Sequence, residues 1–296
     1  DQKRVQKSLA GETHTDVVII GGGIAGVTTL FFLLKYTNKR VILIEGGKLA
    51  HGATGHNAGQ VVAEFERPLV TLVHEYGMKK AVEGFRMMEQ GWDLLAEMYE
   101  DAKMDIPFRE FVGYGGYAMV EQLIADLETE LIKSKHGLIT FPALVARESG
   151  WMASIPAQYR DICTEVDGSL VRELLGTTRD DYHAALPGKK ATVNSALFTE
   201  RLATYCVNAY ADRVALYEGS FVHGIEFDEH EVRVLTNQAT VSCGEVVLCT
   251  NGFENFYIRD KNGMDVDARF HHLVQGGVGY MTAYLTDREL EPMANY

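Results

Sequence analysis

Three glycines near the amino terminus have the spacing of a phosphate-binding turn. Gly21, Gly23 and Gly26 match the pattern GxGxxG, with Ile24 and Ala25 in the last gap. The first glycine of such a turn permits a tight bend, the second lets the backbone approach a pyrophosphate, and the third lets a helix pack closely on a strand. The anion then lies at a helix N-terminus, where free N–H groups and the helix dipole favour negative charge. We therefore expect residues 21–26 to bind the pyrophosphate of a dinucleotide.

An acidic residue follows at a distance that suits a ribose. Glu45 lies 19 residues after Gly26, at the end of a second apolar run, and Gly46 comes next. A carboxylate in this position accepts hydrogen bonds from ribose hydroxyls and repels a 2′-phosphate, so the sequence disfavours NADP. FAD and NAD remain as candidate cofactors on these residues alone.

A second loop of small residues distinguishes FAD from NAD. Residues 46–60 read GGKLAHGATGHNAGQ, and the strand–helix alternation of a simple NAD dehydrogenase does not continue after Glu45. Loops of this length are usually functional or disordered, and small side chains let backbone amides meet a ligand closely. A second loop that contacts the same dinucleotide favours FAD, because the flavin must be held at a distance from the adenine.

The glycine turn lies between elements that can position it. Residues 16–20 (DVVII) form a continuous β-branched run, which is typical of a strand buried on both faces. Residues 24–36 predict a helix, and residues 40–45 (RVILIE) predict a second buried strand. Together they form a βαβ unit of the usual length.

The rest of the chain predicts helices and then many short strands. Apolar residues at three- and four-residue steps predict one long amphipathic helix over 77–103. The other predicted elements are a strand at 114–120, a helix at 121–135, a helix capped by Asn194 or Ser195, and strands at 214–218, 221–227, 231–236, 240–242, 245–249 and 278–285. Residues 1–14 predict an irregular lead-in, and residues 141–188 give no clear assignment.

Three stretches of sequence together resemble a known family. They are DVVIIGGGIAGVTTLFFLLK with the following VILIEGG, then HGATGHNAGQVV, and then the run from VNSALFTERLA through FVHGIEF to VVLCTNG. The chain resembles the glycine/D-amino-acid oxidase (DAO) superfamily of FAD-dependent oxidoreductases over about residues 16–280. Its second loop is similar to that of gamma-glutamylputrescine oxidase and of the dimethylglycine and sarcosine dehydrogenases.

The resemblance implies an α/β fold with two interleaved domains. We expect a Rossmann-like FAD-binding domain formed by residues 14–105 and 190–265. A substrate domain with a mixed sheet, of the α+β kind, would take residues 106–189 and 266–296. The family continues beyond the position that matches Tyr296, so we expect the substrate domain to be incomplete here, and a second chain or segment to complete the fold.

The resemblance also assigns cofactor contacts residue by residue. Thr54 and Gly55 match positions near the pyrophosphate and the flavin, and Val222 matches a position whose backbone meets the adenine. Further contacts are expected from the remaining loop residues and from a turn that runs past the dinucleotide, namely Asn57, Ala58, Gly59, Thr250, Asn251 and Gly252.

His56 raises the question of a covalent flavin. It aligns with a histidine that carries the flavin in the dimethylglycine and sarcosine dehydrogenases, whereas other relatives have arginine there and bind FAD without a bond. An imidazole nitrogen is a competent nucleophile towards an oxidised flavin methyl group. Covalent attachment, a noncovalent polar contact with the flavin and a solvent-facing side chain remain open.

The implied reaction is oxidation of a C–N bond in an amine or amino acid. Hydride transfer to the flavin gives an imine that hydrolyses, and because the cofactor carries this chemistry the sequence need not show a catalytic acid or base. A dehydrogenase that uses an electron carrier instead of oxygen is an alternative, as is an FAD-binding subunit or fragment that is inactive alone. A substrate carboxylate would favour arginine or tyrosine, and the candidates on the substrate-domain stretches are Arg109, Tyr114, Tyr117 and Tyr280.

Composition and charge exclude several other classes. A net charge of −13 argues against nucleic-acid binding, and so against a tRNA-modifying relative with the same fold. The longest apolar run, residues 30–34, is far too short to span a membrane, and no secretory leader is visible. The four cysteines are widely spaced, without CxxC, which predicts reduced thiols in a cytoplasmic protein. No metal site is expected, because adjacent histidines such as His271 and His272 point to opposite faces of a strand.

Overall fold

The computed structural model describes residues 9, 11–252, 255–266 and 279. The strands, in chain order, are β1 Gly11–Ile20, β2 Val41–Ile44, β3 Gln60–Val61, β4 Phe108–Tyr117, β5 Ala143–Ala146, β6 Cys163–Val166, β7 Ala184–Val193, β8 Val214–Tyr217, β9 Val222–Phe227, β10 Val232–Thr236, β11 Ala239–Leu248 and β12 Tyr257–Arg259. The α-helices are α1 Ile24–Tyr36, α2 Leu69–Tyr76, α3 Met78–Asp101, α4 Val120–Lys135, α5 Trp151–Ser154, α6 Ala157–Arg160, α7 Gly168–Leu175 and α8 Ser195–Ala209. Single 3₁₀ turns occur at Ala53–Gly55 and Arg147–Ser149.

The chain divides into two compact units, each built from separate stretches. The first unit takes the described residues up to Gly59, Met98–Ile106, and those from Asn194 onward. The second takes Gln60–Glu97 and Pro107–Val193. This division differs from the predicted boundaries, which placed all of residues 14–105 in the first domain.

The physical reason for the difference is the burial of α2 and α3. Leu69 of α2 and Val82 and Phe85 of α3 form one buried cluster with Leu138, which follows α4. Their apolar faces are therefore buried within the second unit. Of the predicted substrate-domain segment 266–296, and of the predicted strand 278–285, nearly all residues lie outside the described part of the chain.

The first unit contains a seven-stranded sheet in the order β12-β9-β10-β11-β1-β2-β8. β1 is an interior strand, parallel to β11 on one side and to β2 on the other, and β8 is parallel to β2. The register pairs Ile20 with both Ile44 and Leu248, and Ile44 with Tyr217. Four strands thus end together at one edge of the sheet, which is where open parallel sheets bind their ligands.

The first βαβ unit forms as the sequence predicts. The second half of β1 and all of β2 are buried, and α1 spans the predicted residues 24–36. β1 begins at Gly11, however, so the prediction of an irregular lead-in is wrong for residues 11–14. Its polar first half pairs with β11, which is one continuous strand rather than the two short strands predicted at 240–242 and 245–249.

The second unit is organised around two long strands. β4 and β7 pair antiparallel over their whole lengths, and β5 and β6 are parallel to each other. β4 begins earlier than the predicted strand 114–120, because pairing with β7 extends it back to Phe108. Since β4 occupies one edge of β7, β3 and β5 both lie on the other edge, at opposite ends. Between them, residues 186–190 have no strand partner on that edge among the described residues.

Candidate functional site

The turn after β1 requires glycine at two positions. Gly21 has φ +110°, and an added Cβ would lie 2.3 Å from the carbonyl oxygen of Cys249. A Cβ on Gly26 would lie 1.9 Å from the carbonyl oxygen of Gly21. Both obstacles are backbone atoms that cannot move aside, so the first and third glycines of the motif hold α1 tightly against the ends of β1 and β11.

Gly23 has a different environment, because the space beside it is open. The nearest atom to an added Cβ would be the Thr54 hydroxyl oxygen at 3.1 Å, with no other neighbour within 4 Å. Gly23 is also the residue before the first turn of α1, where N–H groups lack intrahelical acceptors. The N–H of Ile24 donates to Thr54 Oγ1 at 2.9 Å. The N–H of Ala25 lies in the same first turn of α1. The open space beside this helix start fits a pyrophosphate.

The carboxylate of Glu45 is fixed by the backbone around it. One oxygen accepts the N–H of Gly22 at 2.7 Å, and the other accepts the N–H of Gly47 at 2.7 Å. Each carboxylate oxygen has a further lone pair, so Glu45 retains capacity for the ribose hydroxyls that the sequence predicts. Gly46 lies close to Phe221, and an added Cβ on Gly46 would lie 3.3 Å from the Phe221 ring.

The second loop folds back onto the start of α1. Thr54 is buried within the 3₁₀ turn, and an added Cβ on Gly55 would meet the carbonyl oxygen of Ala50 at 2.5 Å. Ser195 Oγ, at the start of α8, donates to the Thr54 carbonyl at 2.7 Å. Asn57 donates to the same carbonyl at 3.0 Å. Backbone bonds also hold the loop, since the N–H of Ala50 donates to the Gly22 carbonyl at 3.0 Å.

The remaining loop residues lie beside this turn. Asn57 Oδ1 accepts the N–H of Gly59 at 2.8 Å, and Ala58 is exposed between them. His56 is also exposed, and its Nδ1 lies 2.9 Å from the Gly52 carbonyl oxygen. A carbonyl can only accept, so Nδ1 carries the proton in this contact, and in the neutral ring Nε2 has a free lone pair.

Two more predicted stretches lie at the same edge of the sheet. Val222 is buried at the start of β9, and just before it the N–H of Ser220 donates to the Glu45 carbonyl at 2.9 Å. On the other side, the backbone N–H of Cys249 donates to the Ile20 carbonyl at 2.8 Å, which places the following turn beside the glycine turn. That turn holds Thr250, Asn251 and Gly252, and Asn251 adopts a left-handed conformation with φ +58°. The structure thus brings together the three stretches that the sequence identified.

Three of the four predicted substrate-binding residues lie in the second unit. Arg109 stands opposite Thr192 in the β4–β7 register, and Tyr114 packs against a buried apolar cluster. Tyr117 donates to Asp126 at 2.6 Å, and burial together with this carboxylate raises the pKa of its hydroxyl well above the usual value. Tyr280, His271 and His272 lie outside the described residues. Within the described part, no three His, Cys, Asp or Glu side chains are grouped as metal ligands, and no helix is long and apolar enough to cross a membrane.

Comparison with known proteins agrees with this geometry. The sequence model of the family described as FAD dependent oxidoreductase (DAO) matches residues 16–293, which is most of the chain. The chain belongs to this family. The DAO family assignment confirms the resemblance drawn from the three sequence stretches, and with it the FAD-type dinucleotide fold.

Several DAO relatives match part of this chain. The probable oxidoreductase OrdL of Haemophilus influenzae is 29% identical over 123 residues, which are 42% of this chain and 28% of that protein. Gamma-glutamylputrescine oxidoreductase of Escherichia coli is 29% identical over 117 residues, 39% of this chain and 26% of that protein. The crystal structure of glycine oxidase from Geobacillus kaustophilus superimposes with a TM-score of 0.57 at 20% identity, over 81% of this chain and 56% of that one. The matches therefore cover between 26% and 56% of each of these proteins, which is less than two thirds.

The structure also identifies contacts that sequence reasoning missed. Thr54 was expected to touch the cofactor, but its hydroxyl also accepts the first N–H of α1. Ser195 was expected only as a helix cap, whereas it fixes the second loop. Both contacts join residues far apart in the chain, so no local pattern could have indicated them.

Proposed function

We propose that the chain binds FAD along the edge where β1, β2, β8 and β11 end. The pyrophosphate would lie on the first turn of α1 beside Gly23, and Glu45 would accept hydrogen bonds from the ribose. The open space at Gly23 carries this proposal, because Gly21 and Gly26 have backbone atoms where a Cβ would go and Gly23 does not. A helix start with free N–H groups and a nearby fixed carboxylate is what a dinucleotide needs.

We propose that the reaction is oxidation of a C–N bond in an amine or amino acid. Bound FAD would supply the hydride acceptor, and the imine product would hydrolyse in water. The names of the relatives support this class, since one is an oxidoreductase of gamma-glutamylputrescine and another is a glycine oxidase. The chain's own residues would hold the cofactor and position the substrate carbon. A cytoplasmic location is part of the proposal, supported by four free cysteines in the described residues.

The first test is FAD binding followed by anaerobic reduction. The chain is incubated with FAD, freed of excess cofactor, and mixed under nitrogen with a panel of amines and amino acids. Bleaching of the flavin absorbance by one of them supports the proposed reaction. Failure to retain any FAD contradicts the cofactor site, and retained FAD that no amine or amino acid bleaches contradicts the substrate class and favours an FAD-binding part of a larger assembly.

Oxygen separates the two enzyme alternatives. Rapid recovery of the absorbance on admitting air indicates an oxidase. Slow recovery in air with fast recovery on adding an artificial electron acceptor indicates a dehydrogenase.

We propose further that His56 attaches the flavin covalently through Nε2. The N–C bond would replace a C–H bond of the flavin methyl group, and the oxidised flavin ring itself would take up the two electrons and the released protons, to be reoxidised afterwards by oxygen. The support is that Nδ1 donates to the Gly52 carbonyl, which leaves the lone pair of Nε2 exposed to solvent. Acid precipitation tests this proposal. Yellow colour that stays with the precipitated wild-type chain, and is released from His56→Ala, supports attachment. Colour released into the supernatant from the wild type shows a noncovalent flavin and contradicts the proposal.

A further inference from the structure

The second unit contains a cavity that the dinucleotide site does not use. Its volume is about 170 Å³, and it lies against residues 186–190 of β7, the stretch without a strand partner on one edge among the described residues. The side chains that matter here are Trp92, Tyr117, Glu130, Lys133, Lys189 and Lys190. All of these side chains belong to the second unit.

A buried ion pair forms part of the cavity wall. Glu130 and Lys133 on α4 are only 5% and 8% exposed, and their charged atoms are 2.7 Å apart. The second oxygen of Glu130 accepts the hydroxyl of Thr140. Buried charges are costly unless they are paired and hydrogen-bonded, and this pair satisfies that condition internally. Neither member therefore offers an uncompensated charge to a ligand.

One of the two β7 lysines is also fully engaged. The ammonium of Lys189 lies 3.1 Å from Glu110 and 4.4 Å from the centre of the Trp92 ring. An ion pair and a cation–π contact together account for its charge. Lys189 thus forms part of the cavity wall and is not available to bind a ligand.

Lys190 differs from its neighbour. Its stem lies over Gly113, where an added Cβ would come within 2.6 Å of the lysine Cδ, so the glycine makes room for the chain. The side chain is partly buried, and no hydrogen bond or ion pair to it is found within the described residues. Burial lowers the pKa of its amine, and the nearby Glu64 carboxylate opposes that shift. A partly desolvated ammonium facing a cavity is a group that gains from an anionic partner.

We infer that this cavity binds a small organic carboxylate, whose oxygens contact the Lys190 ammonium. Three carboxylates line the cavity, and each already has a partner. Glu130 contacts Lys133 and Thr140, Glu89 accepts the N–H of Ile139, and Glu64 lies 3.8 Å from the Lys133 ammonium, so a cationic ligand is disfavoured. A dianion such as phosphate is disfavoured because, among the lysines of the described lining, only Lys190 makes no hydrogen bond or ion pair, and the Glu64 carboxylate is nearby. The apolar part of the ligand would contact side chains such as Trp92, Ile139, Phe141 and Leu186. The inference concerns the second unit and does not rest on the proposed oxidation.

Propionate binding to the full chain tests the inference. Isothermal titration at constant ionic strength, with and without added FAD, compares propionate with propylammonium, which has a similar size and the opposite charge. We expect propionate to bind with a Kd of about 1 mM and propylammonium to show no binding. Lys190→Met keeps the stem over Gly113 and removes the charge, so it should weaken propionate binding about tenfold or more. Lys135→Met removes an exposed lysine of α4 and should leave binding unchanged.

Each outcome has a defined meaning. Propionate binding that Lys190→Met abolishes and Lys135→Met preserves supports the site. Absence of propionate binding to the wild type overturns the inference, as does equal binding of propylammonium, and neither result needs a variant to fold. Binding that survives in a folded Lys190→Met chain places the carboxylate elsewhere and also overturns it. Because no outcome depends on flavin reduction, failure here and failure of the proposed oxidation are distinguishable.

Discussion

Replacing Gly23 with alanine separates the cofactor role of the glycine turn from its structural role. The backbone at Gly23 has φ −78° and ψ −177°, which alanine adopts without strain. The added methyl would meet only Thr54 Oγ1, at 3.1 Å, so one hydroxyl has to move by a few tenths of an ångström. The methyl would instead occupy the space where we place the pyrophosphate.

The expected magnitudes follow from these contacts. Shifting Thr54 weakens at most its hydrogen bond with Ile24, which is worth about 1 kcal/mol, and alanine offsets part of that by restricting the unfolded chain. The free energy of unfolding should therefore change by less than about 1 kcal/mol. A methyl forced between the backbone and a tightly packed ligand costs about 1–3 kcal/mol, which weakens FAD binding roughly 5- to 150-fold.

Flavin fluorescence titration and urea unfolding measure the two quantities on the same protein. Gly91→Ala is a control outside the glycine turn and the second loop, because Gly91 is an exposed residue of α3 and an added Cβ there meets nothing within 4 Å. We expect Gly91→Ala to bind FAD like the wild type. If Gly23→Ala also binds FAD like the wild type, the pyrophosphate does not lie at the start of α1. If Gly23→Ala fails to fold, the space beside Gly23 is not open as described.

Three further changes test other parts of the structure. Gly26→Ala would place a Cβ 1.9 Å from the Gly21 carbonyl oxygen, so urea unfolding should show a loss of about 1–3 kcal/mol or more even without FAD. Thr54→Val removes the acceptor for the N–H of Ile24 and should lower the free energy of unfolding by about 1 kcal/mol, whereas Thr54→Ser should restore it. Because burial lowers the pKa of Lys190 in the folded chain, the unfolded chain binds more protons just below the usual lysine pKa. The stability of the wild type relative to Lys190→Met should therefore rise with pH across that window, as the difference between their urea midpoints at a series of pH values would show.

The first βαβ unit was predictable because its signals are local. The apolar run before Gly21 is buried in β1, and the helix over 24–36 begins and ends where the sequence places it. The start of α8 was likewise predictable from its N-cap, since the Asn194 side chain accepts the N–H of Leu197. In each case the residues that decide the structure lie within a few positions of one another.

What the sequence did not predict depends on distant partners. β4 contains glycines and charged residues that give a weak strand signal, and its start at Phe108 is set by pairing with Val193. Glu45 was expected at a ribose, but its contacts with Gly22 and Gly47 depend on how two loops meet. The environment of Lys190 also has no local signal, because its stem rests on a glycine of another strand.

The pairing of β1 with a strand far along the chain has a consequence for the order of events during synthesis. β1 leaves the ribosome long before its partner β11, which begins at Ala239. At about 5–20 residues per second, translation takes on the order of 10–45 s to deliver that partner. During this interval one edge of an apolar strand, DVVII, lacks its native neighbour and can pair wrongly with another chain. Slowing translation lengthens this interval, so we expect it to increase aggregation of the nascent chain.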